Sequence, residues 1–77
     1  MTNSEKRIYI GPALSGRRLV PYTVYIGGLP EEARTIIREN PWFEKLFVPI
    51  SDMNEKRAEI AREGTPLHLY YERAKEV

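Results

Sequence analysis

A short phrase ending in glycine occurs twice near the start of this chain. Ile8-Tyr9-Ile10-Gly11-Pro12 is echoed by Val24-Tyr25-Ile26-Gly27-Gly28. β-Branched and aromatic residues favour a pleated strand, and glycine or proline closes such a run into a turn. Two strands this early oblige the chain to build a sheet first and to cover it with the residues beyond Gly28. Side chains alternate along a strand, which divides them into two sets. Tyr9 and Tyr25 fall on one face, Ile8, Ile10, Val24 and Ile26 on the other. The expectation is an aliphatic face that forms the core and a tyrosine face left for solvent or a partner.

The rest of the chain supplies the cover. Residues 1–6 are polar and expected to fray, which places the first strand over Arg7–Ile10 and the second over Tyr22–Ile26. Ala13–Pro21 reads as a loop that bends at Gly16 and is packed by Leu14 and Leu19. Gly27-Gly28-Leu29-Pro30-Glu31-Glu32 opens a helix, with proline in the first turn and both glutamates at the positive end of the dipole. Ala33, Ile36 and Ile37 make its inward stripe, and Asn40-Pro41 ends it. Trp42-Phe43 reads as an aromatic plug folded under that helix. Leu46–Ile50 reads as the third strand, and Pro49 argues that it lies at a sheet edge. Asp52 with Glu55 fits a capping box for a second helix, whose inward positions are Met53, Arg57, Ile60 and Ala61. Gly64 stops it, and Thr65-Pro66 starts a last helix with Leu67, Tyr70, Tyr71 and Ala74 on one face.

This order predicts an α+β fold: a small two-layer sandwich, with a three-stranded mixed sheet carrying helices on one face. Strand one takes the centre, antiparallel to both neighbours. The opposite face then bears Tyr9, Tyr25 and Phe47 as a bare aromatic band, flanked by Arg17 and Arg18 of the loop. Soluble monomers seldom leave such a patch uncovered, so these five residues form the expected interaction surface.

Composition narrows the function. The 77 residues make one domain, 1–77, too small to bury more than about 60–65% of its unfolded surface. Disulfides, metals or association commonly make up that deficit. The chain has no cysteine, and its single histidine, His68, cannot furnish a usual zinc ligand set. Self-association or a partner is the support left open. Twelve basic and eleven acidic residues leave a charge of +1, too balanced for a strong pull toward nucleic acid or membrane. No apolar block of signal-peptide length lies in the first ten residues, and the apolar run Leu46–Ile50 is far too short to span a bilayer. The expected location is the cytoplasm.

No motif carries chemistry, so no catalytic, cofactor or metal residue is expected, and no enzyme. Glu31-Glu32 and Asp52/Glu55 read as dipole and cap residues. His68 reads as an exposed helix residue, and neither Ser15 nor Ser51 sits in a glycine-framed elbow. The glycines spell no phosphate loop, and Glu31 and Glu32 would oppose an anion at that helix start. Ile60–Tyr71 has the outline of a helix-turn-helix, but His68, Glu72, Arg73 and Glu76 mix the sign of its outer face. An aromatic band beside arginines would also suit stacked bases of a single strand, which makes a small nucleic-acid-binding or regulatory protein the alternative. The balanced charge favours a protein partner.

Tyr9-Ile10-Gly11-Pro12-x-Leu14, the Gly16/Leu19 loop, Thr23-Val24-Tyr25-x-Gly27, Leu46-x-Val48-Pro49 and Gly64-x-x-Leu67-x-x-Tyr70-Tyr71 stand out as a set of phrases. Together they resemble a group of small uncharacterised phage and prophage proteins of Gram-positive bacteria, encoded among head and tail structural genes. The resemblance runs from about Arg7 to Tyr71; the middle helix is its least characteristic part. It carries no catalytic residues. It implies a setting in virion assembly, with phage structural proteins or a second copy of the chain as partners, in the bacterial cytoplasm or on the virion.

Overall fold

A computed structural model describes residues 6–77. β1 (Lys6–Tyr9) lies between β2 (Val24–Ile26) and β3 (Phe47–Pro49) in a three-stranded sheet. Three helices of nine residues each, α1 (Glu31–Glu39), α2 (Met53–Ala61) and α3 (Pro66–Ala74), pack around it with a 3₁₀ segment, Pro41–Leu46. This is a small α+β fold with strand one in the centre. Both ladders are antiparallel, so the sheet is not mixed: β2 and β3 run the same way, but β1 separates them. Lys6 pairs with Ile26 inside β1 rather than fraying; residues 1–5 lie outside the described residues.

The assignment of faces is the main correction. Tyr9 is completely buried, and Phe47 nearly so. They lie in the larger core cluster with Ala33, Ile36, Phe43, Leu46, Leu67 and Ala74, so α1, the 3₁₀ segment and α3 all close over the tyrosine side. Ring centroids are 4.9 Å apart for Tyr9–Phe47, 5.7 Å for Phe43–Phe47 and 5.9 Å for Tyr9–Phe43. The reason is size. An aromatic ring buries about 150–250 Å² when covered, more than any aliphatic side chain here offers. Tyr9 tolerates burial because its hydroxyl donates to the Pro12 carbonyl at 2.7 Å.

The opposite face is covered only at one corner. Ile8, Ile10 and Val48 are buried there against Met53 and Ile60 of α2. Helices therefore lie on both faces rather than one. α2 has no fully buried residue: Arg57 and Ala61, expected inward, are exposed. Val24 and Ile26, expected in the core, also remain exposed.

Local signals explain most of the remaining geometry. The 13–21 loop folds on itself: Leu14 and Leu19 are buried, as expected, and also bridge to one another, while Gly16 lies in a short 3₁₀ turn, Ser15–Arg17, followed by Arg18 in the left-handed conformation. Phe43 is the buried plug under α1; Trp42 is half-buried, stacked on Tyr70 at 5.9 Å and 19°. The capping box does not form. A 3₁₀ turn, Ile50–Asp52, leads straight into α2, so Asp52 stands at φ −99°, ψ 3° rather than in the extended conformation of a cap, and its side chain makes no cap hydrogen bond. The α2–α3 joint is better satisfied. Gly64 turns at φ +96°, and Thr65 accepts from the His68 amide at 3.1 Å while donating to the Glu59 carbonyl at 2.7 Å. His68 Nδ1 meets the Ile60 carbonyl at 2.8 Å, so the ring is half-buried in this joint rather than free on the helix surface.

These contacts set the cost of three substitutions. A Cβ on Gly11 would stand 2.6 Å from the Tyr9 ring, which is held by Phe43 and Phe47 and cannot swing away. Gly11→Ala should therefore cost about 1–3 kcal/mol in urea unfolding, and Tyr9→Phe about 1–2 kcal/mol through the orphaned Pro12 carbonyl. Thr65→Ala, which removes the cap of α3, should cost about 0.5–2 kcal/mol in the same assay.

Candidate interaction surface

The structure does not bring the five expected residues into one surface. Tyr9 and Phe47 are core. Tyr25 is half-buried, its ring 5.9 Å from Phe47. Arg17 and Arg18 line a shallow concavity with Glu31, Glu32 and Thr35, so the loop arginines face the acidic first turn of α1. Glu31 is itself paired, with Arg34 at 2.8 Å and Arg38 at 3.5 Å, and Arg34 above all holds its carboxyl below the usual range. No open aromatic band flanked by free positive charge results, and bases would find no stack on Tyr9 or Phe47.

An aliphatic stripe on the other face takes its place. Val24 is 43% and Ile26 64% exposed; Val20 and Tyr22, earlier in the chain, and Ile50, beyond β3, are exposed as well. Ladder register explains the grouping. Val24, Ile8 and Val48 form one row across the sheet. Ile26 sits opposite Lys6, and Ile50 comes directly after Pro49, the partner of Arg7, so Lys6 lies between two isoleucines in the next row. α2 covers the first row at β1 and β3 and stops short of β2. From Val20 to Pro30 there are eleven residues without a charge.

Tyr22 stands at one end of this stripe in a strained backbone. Its amide donates to the Tyr9 carbonyl at 2.6 Å while the Tyr9 amide donates to the Thr23 carbonyl at 3.0 Å. Two residues thus oppose one, a bulge, and Tyr22 occupies it at φ +69°. That region suits glycine; a bulky side chain there costs on the order of 1 kcal/mol and is a pointer to function. Arg57 lies over the ring, 5.2 Å from its centroid.

The two edges of the sheet differ. On β3 the Phe47 amide is taken by the Glu44 carbonyl and Pro49 has no amide hydrogen, so that edge offers no donor from these outward positions. On β2 the bonds of Tyr9 fix the alternation: Tyr25 turns its backbone to β1, and Val24 and Ile26 turn theirs outward. No other strand lies beyond β2 among the described residues.

Two further places were candidates for chemistry. A cleft of about 500 Å³ beside β3 has Phe47, Val48 and Leu67 in its walls, but its charges are largely matched, Arg7 with Glu44 at 3.4 Å and Lys56 with Glu59 at 3.6 Å. His68 is engaged with Ile60, near the end of α2 opposite Asp52 and Glu55, roughly 7–12 Å along a helix axis. Among the described residues no group of three or more His, Asp or Glu could hold a metal ion, and no helix is long and apolar enough to cross a membrane.

Burial gives Tyr9 a pH signature. Its phenol is pushed well above the ordinary value of 10.0, first by desolvation and then by Tyr71 and Tyr25. The folded state thus holds this proton more tightly than the unfolded chain, so the contribution is complete below about pH 10 and is lost as pH rises beyond it. Urea midpoints should fall above that pH in the wild type and fall less steeply in Tyr9→Phe. Comparisons with protein-family models, with curated proteins and with solved structures returned no match for this chain.

Proposed function

We propose that this protein acts without catalysis, as a small assembly or accessory subunit that works through protein–protein contact on the β2 side of its sheet. The observation that supports this reading is the uncharged run from Val20 to Pro30, which presents Val24 and Ile26 to solvent next to strand backbone that no further strand pairs among the described residues. Exposed apolar side chains on a sheet edge are an aggregation liability that proteins normally blunt with charge. Keeping them bare, and keeping Tyr22 strained beside them, is explained by a surface that is covered in use. The phage-like phrases make virion head and tail proteins the partners to try first.

The test is direct binding. Head and tail structural proteins encoded near this gene would be purified and titrated against the wild type and Ile26→Asp. Because Ile26 is exposed, the variant should keep the wild-type thermal midpoint within a few degrees while losing tenfold or more in affinity, about 1.4 kcal/mol or more. Binding to none of them, or equal binding by both chains, would overturn the assignment, as would tight low-salt binding of oligonucleotides that Arg18→Ala abolishes.

A further inference from the structure

We propose that the open edge of β2 pairs with the β2 edge of a second copy of this chain, joining two sheets into one of six strands; this rests on the protein-contact reading above. Three features point to a copy rather than an unrelated strand. The first is register. An antiparallel two-fold centred on Tyr25 sets Val24 against Ile26 of the other copy, and Ile26 against its Val24. The backbone groups of Val24 and Ile26 are those that face outward, so each Val24–Ile26 pairing exchanges two hydrogen bonds. Every outward donor and acceptor of the three-residue strand is then satisfied, and Tyr25 faces its own mate in the intervening non-bonded position. The aliphatic side chains meet on one face, apolar to apolar.

The second feature is charge. The strand brings no like charge to the two-fold, because Val20–Pro30 carries none. Lys6 is the charge on β1 level with Ile26. Across the joined sheet the two copies of Lys6 would stand three strand spacings apart, about 14 Å, beyond the screening length of about 8–10 Å. The third feature is area. Tyr22, Val24 and Ile26 together expose on the order of 300 Å² per copy, whereas Ile50, beyond β3, lies two strands from the joint and adds nothing to it. Two copies with the strand backbone bury on the order of 600–800 Å², below the roughly 1,200 Å² at which standard specific interfaces begin, as a weak self-association does. A small interface of this size fits a concentration-dependent dimer. The β3 edge, with its donors taken or missing, has no equivalent pairing to offer, so association stops at two and does not run on into a fibre.

The absence of cysteine makes the geometry testable. A non-bonded antiparallel pair brings its Cα atoms to about 4.5 Å, within disulfide reach. Under mild oxidation, full-length Tyr25→Cys should therefore give a covalent dimer, while Leu69→Cys, solvent-accessible on α3, should cross-link at least tenfold more slowly. Sedimentation equilibrium of the wild type up to about 1 mM should show a monomer–dimer equilibrium. Ile26→Lys should weaken it tenfold or more with its melting profile unchanged. Folding of Tyr25→Cys would be checked by circular dichroism; if it is unfolded, Val24→Cys with Ile26→Cys, both exposed and opposite one another in the same register, replaces it. A wild type that is monomeric throughout, a dimer indifferent to Ile26→Lys, or equal cross-linking at Leu69 would each overturn the proposal. If that monomeric protein still binds a head or tail protein through Ile26, only the second copy is excluded. If it binds none, the contact reading falls with it.

Discussion

The Tyr9 side chain ties the central strand to the loop that follows it and to the larger core. Its ring occupies the space that a Cβ on Gly11 would need, and its hydroxyl donates to the Pro12 carbonyl in a buried site. That bond pins the end of the central strand to the start of the loop. It also removes the cost of burying a phenol, which would otherwise be a few kcal/mol without a partner. With Tyr9 in place, Phe43 and Phe47 have a ring to pack against, and α1, the 3₁₀ segment and α3 share one core. The same burial raises the pKa of the Tyr9 phenol, which is the ground for expecting the fold to weaken in alkali.

Once the aromatic side is the core, the aliphatic side cannot be fully covered. Three short helices and a 3₁₀ segment are the main cover that the chain provides, and most of it is committed to the rings. α2 alone serves the other face, where Met53 and Ile60 reach Ile8, Ile10 and Val48 but not β2. The exposed stripe is thus a consequence of how a small chain divides its cover. The difference between the edges sharpens the point. β3 is blunted by Pro49 and by the Glu44 carbonyl, whereas β2 has neither device.

Much of the fold is legible in the sequence. The strand phrases, the Leu14/Leu19 loop, the start and stop of α1, the Gly64-Thr65-Pro66 joint and the central place of strand one rest on local chemistry that a sequence displays directly. The capping box at Asp52 fails because the 3₁₀ turn before α2 runs straight into the helix and keeps Asp52 out of the extended backbone that a cap requires. His68 looks exposed in the sequence because its partner, the Ile60 carbonyl, lies eight residues away across a turn. The proposed surface is half legible. Alternation places Val24 and Ile26 on one face, but their aliphatic character points that face to the core, and the strain at Tyr22 has no sequence signature.

The sequence by itself determined where strands, turns and helices begin, and which side chains share a face of the sheet, because spacing, proline, glycine and caps act over a few residues. Tertiary structure decided which face became the core. Alternation is symmetric: it separates Tyr9, Tyr25 and Phe47 from Ile8, Val24 and Ile26 without preferring either set. The preference came from long-range packing, where three covering elements met the larger rings and a carbonyl stood ready for the buried hydroxyl.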